Sequence, residues 1–483
     1  MRIVVIGGGI SGLAAAWESR AAGAEVTVLE ASPRAGGVLA VSEVAGVSLD
    51  SGAESFLARV PEAAALAAEL GLPVVHPARV PAALWIGGAL RPLPARTVMG
   101  VPTSAAGLRP VVGWPGVARF AWDAARGRRG GRPRGAAPLP DVAVGALVAR
   151  RLGRRAATRL VDPLLGGVYA GRSELLSLRA TVPALAAARD RVGDRSLVAA
   201  ARAALPVGAA PDAPVFGAPV GGMGSLATAL AARLDVRTGQ AAAGLFRSAT
   251  GWDVVVRSAD GERTEQADGV VVAVPAHVAA RLLAEHVPGG PGAFGAFPAA
   301  SVALASFAFP QAAVPRGLAG SGFLVPADQG RLLKAATFSS QKWPHLAAAA
   351  PGLWLARASA GRYLDQLGPG GRTGIDRDDQ ELAGVLAGEL RAATGLRGRP
   401  VDVRVTRWDR GLPQYLPGHV DAVARVRRGL PPGVALVGAA YDGVGVPTCI
   451  RSARTHARTL LAALSAADTG DGPAVAPGLA EGH

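Results

Sequence analysis

Arg2-Ile3-Val4-Val5-Ile6-Gly7-Gly8-Gly9-Ile10-Ser11-Gly12 follows Met1 directly, a short apolar run that passes into glycines spaced G-x-G-x-x-G. Leu13 to Ala22 comes next, rich in helix-forming alanine and leucine, and Glu25 to Leu29 is rich in strand formers. Strand, glycine turn, helix and strand in that order make a βαβ unit of the kind that binds dinucleotides. Each glycine has its own task. Gly7 makes the tight turn, Gly9 lets the backbone approach a pyrophosphate, and Gly12 allows the helix to pack closely on the strand. Ile10 and Ser11 head the helix, whose N-terminus faces the phosphates. Glu30 ends the second strand, eighteen residues after Gly12, where a carboxylate accepts bonds from ribose hydroxyls. In a chain with 65 glycines the spacing alone would arise by chance, so its weight comes from the strand, the helix and Glu30 standing in register.

Outward from this unit, Arg96 to about Leu205 reads as helical. It is broken by the arginine- and glycine-rich segment Arg126 to Arg134, too polar for a core and expected to be an exposed loop. Helices are expected at Ser225 to Leu234 and Asp379 to Thr394, and strands at Trp252 to Val256, Gly269 to Pro275, Gly322 to Val325, Leu353 to Ala356 and Val401 to Val405. A last strand at Val434 to Gly438 leads through a glycine-rich turn into a helix reaching about Leu464. The tail from Ser465, composed of Gly, Pro, Ala and acidic residues, is expected to be disordered.

Composition narrows the classes. At 483 residues the chain exceeds one ordinary domain, and two or three are expected. The single cysteine, Cys449, excludes an intramolecular disulfide framework and a cysteine-rich metal site; no metal is expected, and a reduced, cytoplasmic setting fits. The start of the chain lacks the pattern of a signal peptide. The longest charge-free stretch, Val287 to Pro315, carries five prolines and cannot form one spanning helix. The net charge of +15 could point to nucleic acid, but only Lys334 and Lys342 are lysines. Arginine standing in for lysine on solvated faces is the plainer explanation, so no nucleic-acid partner is expected.

Further motifs bear on the choice of dinucleotide. Ala31-Ser-Pro-Arg34-Ala-Gly36-Gly37 resembles the second fingerprint of the flavin-containing amine oxidase superfamily, in which a Glu is followed by an Arg and paired glycines. The superfamily's usual basic residue after the glycines is Val38 here. FAD is long, and a second loop of small residues must pass close to its middle. The segment ending Asp50-Ser-Gly52-Ala53-Glu54-Ser55 resembles the superfamily's glycine turn against the flavin ring. Gly438-Ala-Ala-Tyr441-Asp-Gly-Val-Gly445-Val446-Pro-Thr-Cys-Ile450 resembles its C-terminal flavin motif, where a helix N-terminus near Val446 meets the pyrimidine edge and favours hydride acceptance. The resemblance also puts Val236 among the cofactor-binding residues. Motifs at both ends imply that the substrate region is inserted into the cofactor domain. The expected fold is therefore α/β. It comprises a discontinuous Rossmann-like FAD-binding domain (1–95, 206–290 and 400–465), a helical subdomain (96–205) and an α+β substrate-binding domain (291–399), with a disordered tail at 466–483.

Three stretches narrow the resemblance: Leu90-Arg-Pro-Leu-Pro94, Arg159-Leu-Val-Asp-Pro-Leu-Leu-Gly-Gly-Val-Tyr169-Ala-Gly171, and Trp408-Asp-Arg-Gly-Leu-Pro-Gln-Tyr415-Leu-Pro-Gly-His419. With these the chain is similar, up to about Leu464, to the bacterial protoporphyrinogen/coproporphyrinogen III oxidases. Its alanine- and arginine-rich composition resembles the Gram-positive, high-GC type that takes coproporphyrinogen III. The resemblance implies hydride transfer from a meso carbon to the flavin and reoxidation by O2, three rounds giving the porphyrin and hydrogen peroxide. It implies positioning rather than a protein nucleophile. It places a backbone carbonyl at Gly171 against the pyrrole N–H groups, the nearest thing to a catalytic contribution from the chain, and Leu324 as an apolar clamp. A turn glycine and a core leucine are the plain readings of the same two residues. Tyr169 is expected in the cavity wall, and Arg59 and Arg357 are candidates for binding the propionates. Ferrochelatase and an anionic membrane surface, met by the 96–205 region, are the expected partners, with the protein peripheral on the inner face of the cell membrane. Protoporphyrinogen IX remains an alternative substrate. A carotenoid desaturase or amine oxidase of the same superfamily, and a flavin-free escort-type prenyl-binding protein, are the alternative functions.

Overall fold

The computed structural model describes residues 1–127, 137–206, 213–365 and 374–468. Apolar runs such as Ile3 to Ile6 and Val270 to Val272 are buried on both faces, the signature of a parallel sheet covered on two sides. They lie in a five-stranded sheet of order Asp235–Arg237, Glu25–Leu29, Arg2–Ile6, Gly269–Val272 and Val434–Leu436. Every neighbouring pair in it is parallel. On one face the helices Ile10–Ala21 and Val446–Asp468 pack together around Leu13, Val28, Val271, Ile450 and Ala453. On the other face lie the antiparallel strands Ala241–Arg247, Trp252–Ser258 and Gly261–Ala267 with the helix His419–Arg428, around Trp252, Val254 and Leu436. The first and last motifs of the chain thus meet, although some four hundred residues separate them.

A second, seven-stranded sheet has the order Asp402–Pro413, Ala299–Pro310, Leu353–Ala360, Leu333–Thr337, Gly322–Leu324, Ala82–Ile86 and Ala89–Pro92. Its membership corrects two expected boundaries. Residues 82–92 and 402–413, assigned from sequence to the cofactor domain, pair into this sheet, Gly322–Leu324 running parallel to Ala82–Ile86 and Ala299–Pro310 antiparallel to Asp402–Pro413. Strand partners are chosen by distant segments, which local patterning does not reveal. The charge-free stretch ahead of Pro315 contains the twelve-residue strand Ala299–Pro310, with prolines only before it and at its end. The helix Asp379–Thr394 has its expected bounds and is capped by the Asp378 side chain, which accepts from Glu381 N. It packs Leu382, Leu386 and Leu390 against Phe323 and Trp354 of the sheet.

The region 96–205 is helical, with Arg109–Arg126, Val144–Leu152, Asp162–Tyr169, Pro183–Val192 and Leu197–Ala203 around one apolar cluster. The Arg109–Arg126 helix is kinked at Gly113, with φ 73°, ahead of Pro115. Arg126, expected to open a loop at 126–134, ends the Arg109–Arg126 helix, and that loop falls outside the described residues from 128. The last helix, expected to reach about Leu464, runs on to Asp468, so the start of the expected disordered tail is helical, and the rest falls outside the described residues from 469. No helix among the described residues is long and apolar enough to cross a membrane.

Candidate functional site

The glycine turn is shaped by close contacts. A Cβ on Gly12 would lie 1.9 Å from Gly7 O, so only glycine lets the helix sit this close to the first strand. At Gly9, by contrast, a Cβ would meet no protein atom within 4 Å; the backbone opens on free space at the head of the Ile10–Ala21 helix. No side chain caps that helix, leaving its N-terminal dipole for an anion. Glu30 Oε2 accepts from Gly8 N at 2.7 Å and Oε1 from Ser32 N at 2.8 Å, which aims the carboxylate across the turn and leaves lone pairs for ribose hydroxyls. Val236 pairs with Val28 beside Glu30, whose N–H donates to Arg237 O.

The second fingerprint docks on the first. Gly36 N donates to Gly8 O at 2.7 Å, and the Gly37 turn passes so near Gly9 that a Cβ would stand 3.4 Å from its Cα. Arg34 folds back over its own loop, donating to Gly37 O at 2.8 Å, while Ala31 lies exposed after the strand. Ala53 N donates to Val38 O at 3.0 Å, and Gly52 is pressed against the same carbonyl. From the other end of the chain, Val446 and Ile450 pack in the same core as Ile10, and Gly438 opens on free space. Cys449 lies against Ser11, and burial pushes its thiol up to about 11, so it stays protonated and inert. An uncapped helix N-terminus, open backbone at Gly9 and Gly438 and a carboxylate at the strand end fit FAD.

Behind the Gly52–Ser55 loop lies a buried charge cluster. Glu54 Oε2 meets Arg357 Nη2 at 2.7 Å, and its Oε1 accepts from Trp343 Nε1 at 2.6 Å and lies 3.2 Å from Lys342 Nζ. Burial pushes the Glu54 carboxyl up, but Arg357 and Lys342 outweigh it and hold it at about 2. Arg357 Nη1 also donates to the carbonyls of Asp50 and Gly52, both at 3.0 Å. Arg357, expected to reach a substrate carboxylate, is therefore engaged in tying this loop to the seven-stranded sheet. Asp50 accepts from Met223 N at 2.9 Å, and burial lifts its carboxyl to about 7 despite Arg357. A cavity of about 90 Å³ adjoins Asp50, Glu54, Trp343, His345 and Arg357. Arg59 stands exposed in the turn before the helix Pro61–Glu69 and has no ion pair among the described residues; Ser55 is half-buried just before it. The distance along the chain hid this cluster from sequence reasoning, which assigned no role to Lys342 or Trp343.

The expected substrate wall is assembled beside the C-terminal flavin motif. A Cβ on Gly167 would touch Leu324 Cδ2 at 3.5 Å, and one on Gly166 would lie 3.5 Å from Gly171 O. Leu324 and Val444 pack against the same helical cluster that holds Tyr169 and Tyr415. The rings of those two tyrosines meet edge to face at 5.5 Å, and the Tyr415 hydroxyl donates to Ala439 O. Burial pushes the Tyr169 phenol up to about 12, which leaves it a packing group rather than a proton carrier. His419 is clasped by Phe297 and Tyr415, and burial holds its imidazole down at about 4, hence neutral. Ala170 O accepts from Tyr363 N at 2.7 Å, which brings the 361–365 loop to the wall.

Residues 10–461 match the flavin containing amine oxidoreductase family. The chain is similar to the coproporphyrinogen III oxidase of Mycobacterium tuberculosis, 40% identical over 470 residues that cover 96% of this chain and 98% of the relative. It is 31% identical to the protoporphyrinogen oxidase of Macaca fascicularis, covering 95% and 98% of the two chains. A crystal structure from Exiguobacterium sp. 255-15, of a candidate protoporphyrinogen oxidase, superimposes with a TM-score of 0.79 at 29% identity, covering 95% of this chain and 98% of that one. UDP-galactopyranose mutase, at 16% identity and a TM-score of 0.69, shares the fold. The chain belongs to the flavin-containing amine oxidoreductase family and is an FAD-dependent oxidoreductase.

Proposed function

We propose that this protein oxidises coproporphyrinogen III to coproporphyrin III with O2 as acceptor, removing six electrons and releasing three molecules of H2O2. The observation that carries the reading is the apolar wall of Leu324, Gly167, Tyr169 and Gly171 set against the C-terminal flavin motif through Tyr415 and Val444. FAD, when bound, supplies the hydride acceptor. The residues of the chain bind and orient. The Gly9 turn and the Ile10 helix hold the pyrophosphate, Glu30 the ribose, and the Gly52–Ser55 and Gly445–Ile450 segments the flavin ring. Gly171 O accepts from pyrrole N–H groups while Leu324 presses on the macrocycle and excludes water.

The substrate's four propionates need positive charge. Arg172 lies directly after Gly171 and pairs with Asp365 at 3.0 Å, while Lys334 and Arg362 are buried beside it with bonds to Gly361 O and Val325 O. Burial and the neighbouring Arg362 pull the Lys334 ammonium down to about 7, a cost that an arriving carboxylate would offset. Together with Arg59, these cations are the proposed source of carboxylate binding. The test is turnover of coproporphyrinogen III against protoporphyrinogen IX by the flavin-loaded protein, followed by porphyrin fluorescence. Preference for the first is expected. Preference for the second would keep the chemistry and discard the four-carboxylate argument.

Peripheral attachment to an anionic membrane belongs to the same reading. Trp114 and Trp122, on the Arg109–Arg126 helix, are 67% and 58% exposed, and Arg109 and Arg126 stand over their rings at 5.4 and 4.5 Å. Aromatic rings beside cations suit a lipid headgroup region. Flotation with anionic liposomes at low salt is expected, and its absence would remove this part. Transfer of the product to ferrochelatase is proposed on the resemblance alone.

A further inference from the structure

We propose that Gln414 is a positioning residue for the oxidation, fixing the Tyr169–Gly171 turn that presents the Gly171 carbonyl to the substrate. The inference rests on the placement of the macrocycle against Gly171 and Leu324. Gln414 is 1% exposed, and its Nε2 donates to Tyr169 O at 2.7 Å, with Leu412 O at 3.1 Å and Pro413 O at 3.4 Å around it. Three carbonyls about one end of the amide identify that end as nitrogen. The other end is spent on nothing: Gln414 Oε1 is buried without a hydrogen-bond partner, against Gly171, where a Cβ would come within 2.5 Å of it. A buried amide with one orphaned atom is uncommon. It is retained here for its donor end, which no apolar side chain of the same size could supply.

The neighbouring residues extend the linkage to the cofactor side. Tyr415 O accepts from Ser177 N at 2.7 Å on the wall, while the Tyr415 hydroxyl donates to Ala439 O in the flavin motif. Gln414 N donates to Pro298 O at 2.8 Å, which anchors the segment to the seven-stranded sheet. The 413–415 stretch therefore sets the distance between the carbonyl that meets the substrate and the segment that meets the flavin. Loss of the Gln414 donor lets the turn relax, and the cost falls on substrate binding rather than on flavin binding.

Two variants test this in the flavin-loaded full chain with coproporphyrinogen III. Gln414→Met keeps the volume and removes the donor. It is expected to lower kcat/KM about tenfold through KM, with FAD content unchanged. Gln414→Glu donates to Tyr169 O only while protonated, so its KM is expected to rise with pH more steeply than the wild-type KM, as the carboxylate forms among three carbonyls. Leu324→Ala separates the inference from the reading beneath it. A raised KM in Leu324→Ala beside an unchanged KM in Gln414→Met, or a KM in Gln414→Glu that tracks the wild type at every pH, overturns the role of Gln414. Unchanged KM in both Leu324→Ala and Gln414→Met overturns the placement of the substrate itself.

Discussion

Arg357→Met distinguishes a clamp on the flavin loop from an anchor for the substrate. The guanidinium makes a 2.7 Å ion pair with Glu54 and two 3.0 Å bonds to the Asp50 and Gly52 carbonyls. Its removal leaves the Glu54 carboxylate, 12% exposed, with Lys342 at 3.2 Å and the Trp343 indole. Breaking a buried pair by removing one partner costs about 3–5 kcal/mol. Lys342 retains part of the attraction, so about 3 kcal/mol is expected, lowering Tm by roughly 10 °C at about 2–4 °C per kcal/mol for a domain of this size. The freed loop contains Gly52, Ala53, Glu54 and Ser55, so FAD occupancy should fall as well. Thermal unfolding and the flavin-to-protein absorbance ratio of the purified variant measure both effects. A variant with wild-type Tm, full flavin content and only a raised KM for the porphyrinogen would refute the clamp and return Arg357 to the substrate.

Gly9→Ala and Gly12→Ala should part company. The first adds a methyl where no protein atom lies within 4 Å, so the protein should fold and lose FAD affinity by about tenfold or more as the methyl meets the pyrophosphate. The second drives a Cβ to 1.9 Å from Gly7 O and should yield little folded protein; equal flavin loading in the two variants would contradict the geometry. Asp50→Asn addresses pH. Burial lifts this carboxyl from 3.8 to about 7, so the folded protein holds the proton more tightly than the unfolded chain. That stabilisation is complete below pH 3.8, is lost as pH rises through about 7, and amounts to at most about 4 kcal/mol. The Asn variant, which can still accept from Met223 N, should lack this decline and exceed the wild-type Tm above pH 7; parallel Tm–pH curves would refute it. Lys334→Met should raise KM for coproporphyrinogen III more than for protoporphyrinogen IX, and equal effects on both would remove Lys334 from carboxylate binding.

The turn proposed as the cofactor cradle was legible in sequence because its geometry is local. Gly7, Gly9, Gly12 and Glu30 lie within one βαβ unit, and the turn, the helix and the strand end are written in adjacent residues. The clustering of the two chain ends was legible for the same reason, since each end carries its own motif. Partner choice between strands was not. Ala82–Ile86 is a short apolar run and Asp402–Pro413 a longer mixed one, and nothing in them names the sheet they complete. Arg357 shows the limit at a single side chain. A strand at Leu353 was expected, but the carboxylate in front of Arg357 belongs to Glu54, some three hundred residues earlier. Gln414 lay inside a quoted motif, yet its role depends on a carbonyl at Tyr169 and an orphaned oxygen, both visible only in three dimensions.

The most direct test of the central claim is the balance of oxygen and porphyrin. Purified, FAD-loaded protein is given coproporphyrinogen III under air, and O2 uptake, H2O2 and coproporphyrin III are followed together. The proposed reaction requires three O2 consumed and three H2O2 formed for each coproporphyrin III. Flavin-loaded protein that forms no porphyrin above the autoxidation rate, or forms it without peroxide in that ratio, would contradict it.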